Sequence, residues 1–258
     1  MSETLAVRVA VAPMHAEARI SSPQVSQRLA GHEVRVLAGE GEWVRVCGDD
    51  AYEGWMHRGY LGAPAPSLTT HLRRLSLGVT VTAGAGGPAR ALPLGAWLGE
   101  GDRIVSGSTV EASALADAFP RDATAIAATA VERFAGTPYQ WGGVSPWGAD
   151  CSGLVQTTFW LHGIQLPRDA WQQAEVGAEV TAGPEGWQPA DLAFFTDRAD
   201  RRITHVGIAL GDGQMVHLAL GRGGHAVERL DRASDASDAS DGYAASLASR
   251  LVGVRRIL

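Results

Sequence analysis

The sequence predicts an α+β protein: a strand-rich first half, followed by a region in which helices precede an antiparallel sheet. Three observations lead there. The first ~60 residues carry short alternating stretches separated by glycine turns. A proline-rich stretch, "APAPS" (63–67), divides them from a second strand-rich region. Beyond residue 121 the pattern changes to helix-length segments and then to strand-like ones.

Taken in order, "HEVRVL" and "WVRVC" alternate, with Val34, Val36, Val44 and Val46 as core positions. "AGEGE" between them is a hairpin turn, and "GWMHRGYLG" closes the unit. Such a run of short strands suggests a small β-barrel. Cys47 lies on one of its strands and reads as structural. "APAPS" is a linker, because proline removes amide donors and stiffens the path. "LGVTVTAG", "ALPLGAWLG" and "DRIVSG" continue the all-β character to about residue 118. The expected domains are 1–63, 64–121 and 122–258.

"DATAIAATAVERFAG" (122–136) has helical periodicity, with Asp122 as N-cap and Gly136 as stop. A loop dense in glycine, proline and aromatics follows. "CSGLVQTTFWLHG" then forms a helix from Cys151 to Gly163. Strands follow at "DLAFFT", "RITHVGIALG" and "QMVHLAL", with a last one at "LVGVRRIL". Between them, "RLDRASDASDASDGYAASL" (229–247) is a solvated loop with an Ala-Ser-Asp repeat that leads into a helix.

Composition narrows the function. With 45% hydrophobic and 19% charged residues among 258, the chain is an ordinary globular protein. A net charge of -6 and the lack of a basic cluster exclude a nucleic-acid surface. No basic segment followed by a long apolar one opens the chain, which predicts a cytoplasmic protein without a membrane partner. Cys47 and Cys151 lie in different contexts, so no disulfide framework is expected. No metal-ligand spacing occurs, and no metal or cofactor is implied.

"GADCSGLV" (148–155) raises the main question. Residues 151, 154, 155, 158 and 159 share a helix face, and Leu154, Val155 and Phe159 make it apolar. Cys151 therefore stands on the first turn, at the positive end of the helix dipole and beside free amides. Both favour a thiolate, and the same amides suit a developing oxyanion. The plain alternative is a buried, inert cysteine.

A nucleophilic cysteine needs a base. Of the eight histidines, His15, His32, His57 and His71 lie in the β-rich half, His162 ends the helix, and His225 lies in a glycine-rich loop. His205 and His217 flank "GDG" (211–213) in strand-like runs. A three-residue hairpin loop puts Gly207 opposite His217 and brings both histidines to one face. A two-residue loop puts them on opposite faces. In the first case His205 is the base and His217 orients its ring. The alternative for each is a hydrogen-bonded core histidine.

"DCSGLV", "ITHVGIALG" and "MVHLAL", together with "GTPYQWGG", "LPRDAWQQ" and "WQPADLAFFT", resemble the NlpC-type peptidases of bacterial wall-peptide metabolism. The resemblance covers about 130 C-terminal residues. It implies a papain-like domain, with a Cys-bearing helix on an antiparallel sheet and Cys151, His205 and His217 as catalytic residues. Ala190 stands where the family text more usually has glycine, and Ala170 where it often has serine, which removes one donor. "QRLAGHEVRVLAGEGEWVRV" and "DDAYEGWM" resemble bacterial SH3-like domains. The resemblance implies two such barrels before the peptidase domain. It also implies a subgroup of γ-D-glutamyl-L-diamino acid endopeptidases that recycle wall peptides with a free N-terminal L-alanine.

Such a substrate carries an ammonium and the D-Glu α-carboxylate. Asp150 is expected to meet the ammonium, with Glu17 and Tyr52 of the first barrel capping the pocket as the resemblance implies. Arg168 and Ser152 are expected to meet the carboxylate. Tyr139 and Trp141 are expected to line the site, with the Tyr139 hydroxyl aiding the oxyanion hole. The expected partner is this small peptide alone, with the chain acting as a monomer. The diamino acid, diaminopimelate or lysine, stays open. The competing readings are other acyl chemistry on the same residues, as an amidase or acyltransferase, and a non-catalytic module that only docks wall peptides.

Overall fold

A computed structural model describes residues 3–64, 73–84, 87–231 and 239–258, with side chains from 242 onward in the last segment. Most of "APAPS" and of the Ala-Ser-Asp repeat lies outside the described residues. The chain divides into two compact units, residues 1–118 with 141–147, and residues 119–140 with 148–258.

In the first unit, β1 (Thr4–Val7), β2 (Val11–His15), β3 (Gln24–Leu29), β4 (Glu33–Glu40), β5 (Trp43–Cys47), β6 (Glu53–His57) and β7 (Leu61–Gly62) form one sheet. Its order is β3-β2-β6-β5-β4-β1-β7. Val34, Val44 and Val46 are buried in its core with Met14 and Met56. Val36 packs against that core but is only partly buried, and a bulge between Val36 and Ala38 ends the alternation just after it. Cys47 is buried and unpaired by any disulfide. The next strands, β8 (Arg74–Ala83), β9 (Ala89–Leu92) and β10 (Asp102–Glu111), make a separate sheet of order β10-β8-β9. A short helix, α1 (Leu115–Ala118), follows, and β11 (Val144–Ser145) returns to this unit.

The second unit holds α2 (Ala123–Arg133), β12 (Gly148–Ala149), α3 (Cys151–Leu161), α4 (Ala170–Gln173) and α5 (Ala239–Ala248). Its strands β13 (Ala178–Glu179), β14 (Leu192–Phe195), β15 (His205–Gly211), β16 (Gln214–Ala219), β17 (Gly224–Arg229) and β18 (Leu251–Arg256) form an antiparallel sheet. The order is β13-β18-β14-β15-β16-β17. Asp122 caps α2, its carboxylate accepting from the Ala125 amide at 2.9 Å.

α3 differs from the one-faced helix that the sequence suggests. Every residue in it except Trp160 is buried, including Gln156 and Thr157, so it runs through the core. α2 and α3 pack against β15, and α3 also against β16. On the sheet face carrying Ala193, Phe195, Ala209 and Met215, the cover is α5, through Ala244 and Leu247. The room beside Gly207 is filled by the Met215 side chain. Ala190, buried before β14, has φ +66°, in the left-handed region that glycine adopts without strain. That explains why a glycine suits this position.

Candidate active site

The site is built on the start of α3. Asp150 is its N-cap, accepting from the Gly153 amide at 2.8 Å. Arg168 forks onto the same carboxylate, at 3.0 Å to Oδ1 and 2.7 Å to Oδ2. It also donates to the Ser152 hydroxyl at 2.8 Å. The Ser152 hydroxyl in turn donates to Asp150 Oδ1 at 3.2 Å. The side chains of Arg168 and Asp150 are 1% and 8% exposed. Asp150, expected to meet a substrate ammonium, and Arg168 and Ser152, expected to meet the carboxylate, are thus joined in one network. A buried guanidinium needs a carboxylate, and here the two satisfy each other.

Two glutamines hold Arg168 in place. Gln156 of α3 donates to the Leu166 carbonyl at 3.1 Å. Gln173 of α4 donates to the carbonyls of Pro167 at 2.8 Å and Ser152 at 3.1 Å. Neither residue is singled out by the sequence reading, although both "LPRDAWQQ" and the Cys-bearing helix contain one. Their signal is a buried amide beside a run of loop carbonyls.

Cys151 is buried, and the backbone amides of Val206 and Ser152 favour its anionic form. Burial pushes the thiol up to about 12, helped by the Asp150 charge and opposed by those two amides and Arg168. The expectation of a standing thiolate is therefore corrected. The helix start supplies the stabilising amides, but desolvation of the sulfur outweighs them, and the resting group is a neutral thiol.

α3 packs against β15, where Val206 follows His205 directly. His205 Nε2 lies 2.7 Å from His217 Nδ1. The hairpin joining them has a two-residue turn, Asp212-Gly213, with a bulge between Ala209 and Gly211. The bulge restores the register that a three-residue loop would give. Ile208 faces Val216 and Ala209 faces Met215, so His217 falls opposite Gly207. Both histidines thus share a face despite the shorter turn. Phe195 packs on the His205 ring, with centroids 5.9 Å apart. Burial, then the neighbouring His217, lower the His205 pKa to about 3. The resting pair is therefore a thiol and a neutral imidazole.

Tyr139 is brought to the same helix start. Its amide donates to the Gly223 carbonyl at 3.0 Å, and the residue forms an isolated parallel bridge with Ala149. Gly224 lets this loop close, since a Cβ there would collide with the Thr137 carbonyl. Burial raises the Tyr139 pKa, with further contributions from Cys151 and Asp150, so the phenol keeps its proton and is a donor. His225, expected in a loop, lies on β17, where Leu218 is its partner. The glycines before it begin an edge strand.

The remaining expected residues belong to the first unit. Glu17 is exposed and pairs with Arg19 at 2.7 Å. Tyr52 packs half-buried against the barrel core. Trp141 is exposed, and its carbonyl accepts from Gln24 at 2.8 Å. Among the described residues, no group of three or more His, Cys, Asp or Glu is arranged to hold a metal ion. No described helix is long and apolar enough to cross a membrane.

A profile of the NlpC/P60 family matches residues 136–238, and one of the bacterial SH3 domain matches residues 10–62. A gamma-D-glutamyl-L-lysine dipeptidyl-peptidase of Bacillus subtilis is 31% identical over 219 residues, covering 74% of this chain and 71% of that protein. The chain belongs to the NlpC/P60 family. A Bacillus cereus protein with the same name is 42% identical over 85 residues, covering 33% of this chain and 25% of its own length. The crystal structure of an NlpC/P60 family protein from Bacillus cereus shares the fold, with a TM-score of 0.80 and 21% identity. That alignment covers 99% of this chain and 100% of the other. The NlpC/P60 match spans Tyr139, Asp150, Cys151, Ser152, Arg168, His205 and His217.

Proposed function

We propose that the protein is a cysteine peptidase that hydrolyses the bond between γ-D-glutamate and an L-diamino acid in wall peptides with a free N-terminal L-alanine. The observation that carries the chemistry is the junction of α3 and β15. Cys151 opens α3, which packs on the strand that His205 opens, and the His205 ring is held by His217 at 2.7 Å. The name of the Bacillus subtilis relative supports the bond cleaved.

The Cys151 thiol passes its proton to His205 as its sulfur attacks the γ-carbonyl carbon. The oxyanion is met by amides at the α3 start and by the Tyr139 hydroxyl. His205 then gives the proton to the leaving amine, and the C–N bond breaks to leave a thioester. Water, deprotonated by His205, attacks the thioester, which releases the free γ-carboxyl and restores the thiol. The neutral resting pair suits this cycle, because the proton moves only when substrate is present.

Asp150, Ser152 and Arg168 act as one assembly that fixes the α3 start and presents a polar, net-neutral edge to the D-glutamyl residue. Glu17, Tyr52 and Trp141 contribute to recognition of the L-alanine end, as the resemblance implies. Residues 64–121 form a second SH3-like domain in this reading. A free-amine requirement suits recycling of released fragments in the cytoplasm by a monomeric enzyme.

The test is mass spectrometry of L-Ala-γ-D-Glu linked to lysine or diaminopimelate, each free and N-acetylated. Release of L-Ala-D-Glu from the free forms alone supports the reading. Cleavage of the acetylated forms overturns the amine requirement, and cleavage of none overturns the substrate class.

A further inference from the structure

The reading above leaves one buried charge cluster without a role. Behind His217, on the adjacent edge strand, Glu228 lies two residues from Ala226, the direct partner of His217. Both therefore project from the face that carries His217. Glu228 Oε1 is 3.6 Å from His217 Nε2, beyond a hydrogen bond but within strong charge coupling. The Nε2 atom is buried and makes no hydrogen bond. Arg222 holds the carboxylate from its other side, Nε to Oε1 at 2.6 Å and NH2 to Oε2 at 2.9 Å. Arg222 also sits 4.3 Å over the Tyr243 ring of α5, which closes the cluster.

A carboxylate only accepts, so a proton on His217 Nε2 is favoured over a lone pair there. His217 Nδ1 must then be the acceptor of its 2.7 Å contact, and His205 Nε2 the donor. That leaves Nδ1 of His205 as the lone pair, the form a base requires. We propose that Glu228 is a positioning residue of the active site: held by Arg222, it fixes the His217 tautomer that makes His205 the base for Cys151. The proposal rests on the peptidase reading for its consequence in turnover, but the tautomer itself does not.

The same carboxylate acts on charge. When His205 takes the thiol proton, the positive charge spreads toward His217 and is met by Glu228. The groups facing His217 are His205 from β15, Glu228 from β17 and Tyr243 from α5, while His225 of β17 projects from the opposite face, with its ring at the Ala130 carbonyl, and acts on His217 only through charge. Arg222 lies behind Glu228, and Arg250 acts on Tyr243. Burial pushes the Glu228 carboxyl up, but His217 and Arg222 outweigh it and hold the group below its ordinary value. Glu228 is therefore an anion throughout the working range.

The experiment is ¹⁵N NMR of the histidine rings in the full chain near neutral pH, with pH profiles of peptide hydrolysis for wild type, Glu228→Gln and Glu228→Asp. Wild-type His217 is expected to be protonated at Nε2. In E228Q the preference weakens, kcat falls about tenfold or more with KM little changed, and the acid limb moves to lower pH. E228D, which keeps the charge, retains the tautomer and most of kcat. A wild-type His217 protonated at Nδ1 overturns the proposal without any variant. So does an E228Q enzyme with unchanged tautomer and pH profile. Failure of the peptide to turn over, with the tautomer as expected, counts against the substrate reading and not against this one.

Discussion

Replacing Arg168 by methionine tests the assembly at the α3 start. The substitution keeps most of the apolar stem but removes the charge. It leaves Asp150 and Ser152 without three donor contacts, at 2.7, 2.8 and 3.0 Å. Because the pair is almost fully buried, the loss includes the cost of an uncompensated carboxylate, about 3–5 kcal/mol. An exposed pair would lose about 1 kcal/mol or less. The double variant Asp150→Asn/Arg168→Met should be less destabilised than the two single losses summed, by ~1–3 kcal/mol, since the lone charge is gone. Urea unfolding gives the energies. Hydrogen exchange of α3 peptides shows whether the loss lies at this helix. A cost below about 1 kcal/mol for R168M, or strict additivity in the cycle, would refute the claim that the pair is a buried structural unit.

Other consequences are independent of this pair. Ala190→Gly should stabilise by roughly 1 kcal/mol, or ~2–4 °C in Tm, by relieving the left-handed backbone at φ +66°. A drop in Tm would show that the Ala190 methyl packs better than its backbone strains. Iodoacetamide labelling of Cys151 should accelerate about tenfold per pH unit between pH 7 and 10, because the thiol starts neutral. A rate already at plateau near pH 6 would mean a standing thiolate. Gly224→Ala should push the 137–139 loop off β17 and cut kcat while the sheet survives. An unchanged kcat would remove the Tyr139 loop from the mechanism.

The fold was legible where periodicity and turn chemistry agree. The Val34, Val44 and Val46 alternation, the Asp122 cap and the strands at 192–195, 205–211 and 214–219 follow from local rules. β17 was not legible, because "GRGGHAVER" opens with three glycines within four residues and reads as a loop until its pairing with β16 is known. Cys151, His205 and His217 stood out because a cysteine on a first helical turn and two histidines around a "GDG" turn are uncommon text. The electrostatics of the site were not legible. Whether Asp150 meets a substrate or Arg168, and whether the thiol is ionised, depends on burial and on partners 18 to 55 residues away in sequence. Glu228 was invisible for the same reason, since only the β16–β17 register brings it beside His217.

The central claim is that Cys151 attacks the γ-glutamyl carbonyl. Intact-protein mass spectrometry of acid-quenched single turnovers tests it, with L-Ala-γ-D-Glu-diamino acid substrates and with Cys151→Ala alongside. The account predicts a transient L-Ala-D-Glu acyl adduct mapping to Cys151 in the wild type. In a folded C151A it predicts neither adduct nor product. Product formation by C151A, or wild-type turnover with the adduct on another residue, would contradict it.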